Sequence, residues 1–206
     1  MASCGPKWTE VENDSIMLVT NQDGPTLGYS PESGVKILEV DRYAFKDLNK
    51  NDSLDQYEDW RLSAEERAAD LASKMTIEQI AGLMLYSGHQ RIPGGGYGAG
   101  GTYNGKPFAE SGAAPSDLSD AQVEFLTNDN LRHVLVTSVE SPEVAAKWNN
   151  NVQALVEGLG LGIPANNSSD PRHQAESDDE FTLGGGGDIS RWPGSIGLAA
   201  SFDPEL

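Results

Sequence analysis

Residues 132–165, RHVLVTSVESPEVAAKWNNNVQALVEGLGLGIPA, carry the pattern that decides the fold. The apolar run at residues 132–137 predicts a buried strand. Ser141 followed by Pro142 then predicts the start of a helix. Residues 162–165 begin a second predicted strand. A strand, a helix and a strand joined by short connections form the repeating unit of a parallel α/β sheet.

The helix between these two strands has one apolar side. The residues that recur on that side at helical spacing are Val144, Trp148, Val152, Leu155 and Val156. About three strand–helix units can be counted along the chain, whereas a closed eightfold barrel needs roughly 250 residues. If the sheet belongs to such a barrel, most of the barrel lies outside these 206 residues.

The composition is that of an ordinary soluble protein with a strong acidic excess. The chain has 32 acidic and 14 basic residues, which gives a formal net charge of −18. This balance argues against a nucleic-acid partner, because binding to phosphates needs a positive surface. We attribute the charge mainly to solubility, with clustered carboxylates for a divalent cation as the second interpretation.

A single cysteine, Cys4, excludes an internal disulfide but carries a targeting signal of its own. Residues 1–5, MASCG, look like the end of a bacterial lipoprotein signal in which a small residue precedes the lipidated cysteine. We therefore expect a lipid anchor at Cys4 and a secreted location, periplasmic or anchored to the outer membrane. The alternative is a cysteine present by chance.

Residues 1–60 are predicted to form an irregular arm, and residues 61–206 an incomplete barrel domain. The arm is rich in turn residues, and residues 35–40 are its best candidate strand. Beyond it, Ser63 with Glu66 and Thr76 with Gln79 predict two capped helices. The apolar run at residues 83–86 predicts a buried strand, and residues 93–116 a long loop.

Residues 47–58, DLNKNDSLDQYE, match the spacing of a twelve-residue calcium loop of the EF-hand type. Its oxygen-bearing side chains at the ligand positions are Asp47, Asn49, Asn51, Ser53, Asp55 and Glu58. Asp52 replaces the glycine of the sixth position, where the backbone must be left-handed, a conformation that Asp tolerates. The alternative is a polar turn held by its own side chains. No cofactor is expected to be required, and a structural calcium is the candidate ligand.

Residues 166–173, NNSSDPRH, concentrate polar groups after the predicted strand at residues 162–165. Ligands of parallel α/β folds bind at the carboxyl ends of strands, and side chains of this kind suit sugar hydroxyls. The alternative is a loop whose Asn, Ser and Asp side chains only satisfy backbone groups.

Several segments in order resemble one family, glycoside hydrolase family 3 of the bacterial β-glucosidase type. They are DLNKNDSLDQYEDWRL at residues 47–62, RAADLASKMTIEQIAGLMLYSGHQ at 67–90, LGIPANNSSDPRH at 161–173 and WPGSIGLAASFDPEL at 192–206. The resemblance implies an α/β fold, the N-terminal part of a (β/α)8 barrel, and a glycoside or oligosaccharide as substrate.

The resemblance also implies a retaining, exo-acting enzyme that removes glucose, xylose or related sugars. The family's nucleophile is an aspartate in a Ser-Asp-Trp-like motif late in the barrel, and no Ser-Asp-Trp occurs in this sequence. We therefore assign no catalytic residue to this chain. We expect a C-terminal part to supply the catalytic pair, and this piece alone to be inactive.

By resemblance, Asp170 matches the aspartate that binds hydroxyl groups of the terminal sugar, and His173 matches the histidine beside it. Gln174 stands where the family usually has glycine. Two alternatives to the enzyme remain at this point. One is a non-catalytic, calcium-stabilised sugar-binding module, and the other is a different α/β enzyme with its own acidic site.

Overall fold

The computed structural model describes residues 5–90, 101–136, 141–169, 195–203 and 205. The backbone divides into two compact units. Unit 1 comprises residues 1–80 and 153–164, and unit 2 comprises residues 81–152 and 165–206. The domain boundary predicted after residue 60 stays a prediction.

Five short strands in two antiparallel sheets lie in the segment that was predicted as an irregular arm. The first sheet has the order β1-β2-β3 and the second pairs β4 with β5. Their bounds are β1 Trp8–Asn13, β2 Ile16–Asn21, β3 Thr26–Tyr29, β4 Lys36–Val40 and β5 Tyr43–Asp47. The irregular arm is thus a correction: each strand has only four to six residues, and Gly and Pro residues stand in two of the segments between them, so turn signals dominate this part of the sequence.

The hairpin of β4 and β5 closes through two residues with positive φ, Asp41 at 54° and Arg42 at 75°. Two-residue hairpins need this backbone because it matches the twist of the paired strands. Behind the hairpin, the Trp60 ring stacks on Phe45 with centroids 5.3 Å apart and meets Tyr43 edge-on at 5.6 Å.

Two capped helices follow, as the sequence predicts. They are α1, Ala64–Lys74, and α2, Ile77–Leu83. In α1 the Ser63 hydroxyl accepts the Glu66 N–H, and the Glu66 carboxylate accepts the Ser63 N–H at 3.0 Å. The same reciprocal pair joins Thr76 and Gln79 before α2. Both predicted caps are confirmed.

Unit 2 contains a three-stranded parallel sheet with the order β10-β9-β6. The strands are β6 Tyr86–Gln90, β9 His133–Val136 and β10 Asn166–Ser169. Between β6 and β9 lie β7 Thr102–Tyr103, β8 Lys106–Pro107, α3 Phe108–Ser111 and α4 Asp120–Thr127. Helix α5, Pro142–Glu157, connects β9 to β10, and α6 is Ser195–Ala199. The described residues form a mixed α/β fold and contain no closed barrel.

Three sequence predictions need correction in this unit. The run at residues 83–86 is not a buried strand, because α2 reaches Leu83 and the side chain of Met84 is 82% exposed. The predicted loop at residues 93–116 contains β7, β8 and α3. The strand predicted at residues 162–165 begins at Asn166 instead, because backbone pairing with β9 does not need apolar side chains.

The predicted apolar side of α5 is confirmed for three of its five residues. Trp148, Val152 and Val156 are buried at a spacing of four residues, which places them on one side of the helix. In unit 2, Leu126 of α4 and Val134 of β9 are buried as well.

We expect Leu126→Ala to lower the free energy of unfolding by about 2–5 kcal/mol, because a large side chain is removed from a buried position. Val123→Ala in the same helix is the matched control, since Val123 is 38% exposed and its loss should change stability by less than about 0.5 kcal/mol. Urea denaturation measures both. Equal losses would show that α4 is not packed as described.

Candidate functional site

The predicted calcium loop lies between a hairpin and a helix in unit 1. Strand β5 ends at Asp47, the first loop position, and Glu58, the twelfth, comes six residues before α1 begins at Ala64. The α1 residue Asp70 accepts the Tyr57 N–H at 3.0 Å, and Arg67 donates to the Tyr57 carbonyl at 3.0 Å. Both ends of the loop are therefore fixed by regular structure.

Two buried carboxylates hold the loop backbone. Asp47 is fully buried, and its two oxygens accept the N–H groups of Asn51 and Asp52, each at 3.0 Å. Glu58 is 4% exposed, and one of its oxygens accepts the Leu48 N–H at 2.7 Å. Glu58 also accepts the N–H groups of residues 49 and 55. A carboxylate that accepts backbone donors is a strong hydrogen-bond acceptor.

The remaining ligand positions face one another through side-chain hydrogen bonds. The amide nitrogens of Asn49 and Asn51 donate to the same Asp55 oxygen at 2.6 and 2.9 Å. The other Asp55 oxygen lies 3.2 Å from the Lys74 ammonium group. The Asn51 oxygen accepts the Ser53 N–H at 2.8 Å. The predicted calcium ligands therefore lie together in a polar loop that is held by its own hydrogen bonds.

The sixth loop position has the backbone that the calcium-loop pattern requires. Asp52 has φ of 58°, in the left-handed region where most loops of this kind have glycine. Asp tolerates this conformation because its short side chain bonds locally. The Asp52 side chain itself points to Lys36, with oxygen and nitrogen 2.7 Å apart at an exposed site.

Burial dominates the electrostatics of the loop. It raises the pKa of the Glu58 carboxyl, although the backbone N–H groups of Asp55, Leu48 and Asn49 act in the opposite direction. Burial also raises the pKa of the Tyr57 phenol, and the charges of Glu58, Asp55 and Asp47 add to that rise. As the side chains stand, no three His, Cys, Asp or Glu residues in the described part of the chain are placed to hold a metal ion together.

A strong ion pair follows the loop directly. Arg61 donates to both oxygens of Asp59, at 2.7 and 2.9 Å, and its third contact is Asp41 at 2.9 Å. Hydrogen bonding from Arg61 lowers the pKa of the Asp59 carboxyl. The guanidinium also lies 4.8 Å from the Phe45 ring, which orients it by a cation–π contact.

The predicted sugar-binding residues, Asp170 and His173, lie outside the described residues. Asp170 is next in sequence after Ser169, the last residue of β10. The four residues before Asp170 were predicted as a polar loop and instead form β10 itself. Their side chains bond across the sheet, as when the Tyr86 and Ser168 hydroxyls meet at 2.8 Å.

Sequence reasoning missed one polar contact behind β10. The Asn167 amide donates to the Asn149 oxygen of α5 at 2.6 Å, while the Asn167 oxygen is buried without a hydrogen-bond partner among the described residues. The run of three asparagines at residues 149–151 on α5 was the available signal. Asn151, from the same run, donates to the Ser116 carbonyl at 2.9 Å.

A second polar region is an open cleft of about 510 Å³ beside α4. Its walls include Tyr103, Asp117, Asp120 and Glu124. Asp120 accepts hydrogen bonds from the Thr102 hydroxyl and from the N–H groups at residues 104 and 105, which lower its pKa. This carboxylate therefore stabilises the β7–β8 turn and is not free to bind a ligand in the cleft. Among the described residues, no helix is long and apolar enough to cross a membrane.

Comparison with known proteins gives several related glycosidases. The chain is 38% identical over 174 residues to the periplasmic beta-glucosidase/beta-xylosidase of Dickeya chrysanthemi, which covers 84% of this chain and 24% of that protein. It is 33% identical over 156 residues to the probable beta-glucosidase C of Aspergillus oryzae, and 29% identical over 160 residues to beta-glucosidase C of Emericella nidulans. These matches cover 75% and 78% of this chain, and 22% and 23% of the fungal proteins. The chain thus spans about a quarter of the relatives' length. No family model matches it.

We expect Asp59→Asn to lower the free energy of unfolding by about 1–3 kcal/mol at pH 7, because the charged pair with Arg61 is lost. The Asp59 pKa is lowered in the folded state, so its contribution is complete above the ordinary aspartate pKa of about 3.9. It is lost as the pH falls through the folded-state pKa. Urea denaturation should show a larger difference between Asp59→Asn and the unmodified chain at pH 7 than at pH 3.

The control for this experiment is Asp23→Asn, which removes a carboxylate from an exposed turn. It should leave stability nearly unchanged at both pH values. If Asp59→Asn costs the same at pH 3 as at pH 7, the ion pair is not the source of the loss.

Proposed function

The chain belongs to the β-glucosidases of glycoside hydrolase family 3, and we propose that it supplies the N-terminal part of a retaining, exo-acting enzyme. The substrates would be β-linked glucosides or xylosides. The observation that carries this proposal is the match to named β-glucosidases across 84% of the chain. The proposed activity is the hydrolysis of O-glycosyl bonds, with the catalytic carboxyl pair supplied from a C-terminal part.

The order of the parallel strands supports a barrel as the finer fold. Strands β6, β9 and β10 lie side by side in chain order. A barrel winds in one direction, so its consecutive strands are neighbours. The described sheet is compatible with that arrangement, and together with the family match it supports our proposal that these are the opening strands of a (β/α)8 barrel.

The proposed contribution of this chain to the reaction is recognition of the sugar. A retaining glycosidase holds two carboxyl groups about 5 Å apart, one as nucleophile and one as acid/base. Asp170 is instead proposed to accept hydrogen bonds from hydroxyls of the terminal sugar, with His173 beside it. A buried acceptor that needs hydroxyl partners rejects ligands that lack them. Its place after β10 agrees with the general location of ligand sites at the carboxyl ends of parallel strands.

We propose a secreted location, in the periplasm or at the outer membrane. The name of the Dickeya relative describes it as periplasmic. A lipid anchor at Cys4, inferred from the sequence around it, would hold the protein at a membrane surface.

A chimera tests the proposed function. Residues 1–206 replace the matching segment of the Dickeya enzyme, and hydrolysis of p-nitrophenyl β-glucoside is measured. We expect activity in the chimera and no turnover by the 206-residue chain alone. Asp170→Ala in the chimera should lower kcat/KM about a hundredfold, because a charge-assisted hydrogen bond to substrate is worth up to about 3 kcal/mol.

The control is Asp129→Ala, which removes an exposed carboxylate and should leave kcat/KM unchanged. An unchanged kcat/KM for Asp170→Ala would reject the sugar-binding role. A folded but inactive chimera that still binds glucose would favour the non-catalytic sugar-binding module. Turnover by the isolated chain would show that a catalytic pair lies within these residues.

A further inference from the structure

Loop 47–58 has three carboxylates at its ligand positions, and two of them are buried without a positive partner. Asp47 is fully buried and Glu58 is 4% exposed. In the described part of the chain, neither has a lysine or arginine within ion-pair distance, since Lys74 reaches Asp55 instead. Backbone N–H groups orient these carboxylates but bring no net positive charge. A buried ion without a counter-ion is costly, so a cation would remove a real electrostatic penalty at this point.

The Tyr57 hydroxyl is a second and independent sign of a missing ligand. Tyr57 is 4% exposed, and its hydroxyl has no hydrogen-bond partner among the described residues. The hydroxyl is near the Glu58 carboxylate without the geometry of a hydrogen bond, and the charges of Asp55 and Asp47 also act on it. Leaving a buried hydroxyl without a partner is unfavourable, so such groups normally have a protein or water partner.

The oxygen atoms around this point suit a hard cation. Carboxylates stand at loop positions one, nine and twelve, and amide oxygens at three and five. The oxygens of Asn49 and Asn51 each accept one backbone N–H, at 3.2 and 2.8 Å, and keep a second lone pair. Calcium takes six to eight oxygen ligands of this kind, often including one bidentate carboxylate and water.

We propose that loop 47–58 binds a calcium ion, held by Asp47, Asn49, Asn51, Asp55 and Glu58, with the Ser53 carbonyl at the seventh position. The three carboxylates do not converge as they stand, because the two asparagine amides and Lys74 hold Asp55. Binding exchanges these contacts for metal contacts, and a water on the ion gives the Tyr57 hydroxyl its partner. The ion ties the end of β5 to the segment before α1.

Calcium is preferred to magnesium at this site because the loop offers many protein oxygens. Magnesium demands a near-octahedral shell and keeps several waters, so an all-protein loop fits it poorly. A location outside the cytoplasm would also expose the loop to millimolar calcium, the range in which extracellular calcium modules work.

Calcium titration of the 206-residue chain tests the proposal directly. We expect heat of binding in calorimetry and a rise in Tm of about 5 °C or more at a hundredfold excess of CaCl2 over Kd. EGTA should reverse the rise, and MgCl2 at the same concentration should produce a much smaller one. No heat and no change in Tm with CaCl2 would overturn the proposal and leave a loop held only by its own hydrogen bonds.

Variants locate the site. Glu58→Gln should weaken calcium binding at least tenfold, because it removes one charge and the bidentate ligand. Asp55→Asn is the second variant, since this side chain is partly exposed and its change disturbs folding least. Asp52→Gly is the matched control: it also removes a loop carboxylate but should keep or strengthen binding, because glycine suits φ of 58°. Equal weakening by all three variants would indicate a general charge effect and reject the site.

Terbium luminescence gives a readout that depends on distance. Tb³⁺ takes the place of Ca²⁺ in oxygen-rich sites, and nearby Tyr57 and Trp60 can transfer excitation to it. We expect emission on excitation of the aromatic residues, removed by excess CaCl2 and reduced in Asp55→Asn but not in Asp52→Gly. Emission that is insensitive to calcium and equal in both variants would contradict binding at this loop.

Discussion

Two buried carboxylates, Asp47 and Glu58, accept hydrogen bonds from five backbone N–H groups in unit 1. These hydrogen bonds connect the β4–β5 sheet to helix α1. Asp47 accepts the N–H groups of residues 51 and 52, and Glu58 accepts those of residues 48, 49 and 55. Without these acceptors the loop would have to find five other partners for its donors, at about 1–3 kcal/mol for each buried group left unpaired. The direction of the chain between β5 and α1 depends on this arrangement.

The surroundings of the loop reinforce the same connection. Trp60, two residues after Glu58, stacks on Phe45 of β5 and donates from its ring nitrogen to the Ala44 carbonyl at 3.0 Å. Asn21 of β2 bonds both the N–H and the carbonyl of Ala44. The β1–β3 sheet, the β4–β5 hairpin and loop 47–58 are thus joined through strand β5. A substitution at residues 44–47 would therefore disturb all three.

Local signals in the sequence predicted local structure well. Ser63 with Glu66 and Thr76 with Gln79 are reciprocal hydrogen-bond pairs that need only residues three apart in the chain, so their outcome does not depend on the rest of the fold. The left-handed backbone at Asp52 was predictable for the same reason. Strands were harder: β10 begins with two asparagines, and its pairing with β9 is decided by backbone groups more than 30 residues away.

Apolar patterns in the sequence predicted which residues suit a buried position, but not whether the fold buries them. Ile77 and Ile80 of α2 recur at helical spacing, yet they are 81% and 44% exposed. Helix α5 has the same apolar periodicity, and there Trp148 and Val152 are buried. The difference lies in what faces each helix, which is a property of distant segments and not of the stripe itself.

One of the segments that reveal the family, residues 47–62, consists largely of residues that build structure. Within residues 47–62, Asp47 and Glu58 bind backbone groups, Trp60 packs on the hairpin, and Arg61 pairs with Asp59. Such residues identify a fold by its hydrogen bonds and packing, while the reaction depends on carboxyl groups placed around a sugar. Family membership therefore supports the fold of this chain more strongly than it supports a role in the reaction. The chemical claim rests on Asp170, which lies outside the described residues and is therefore tested by substitution.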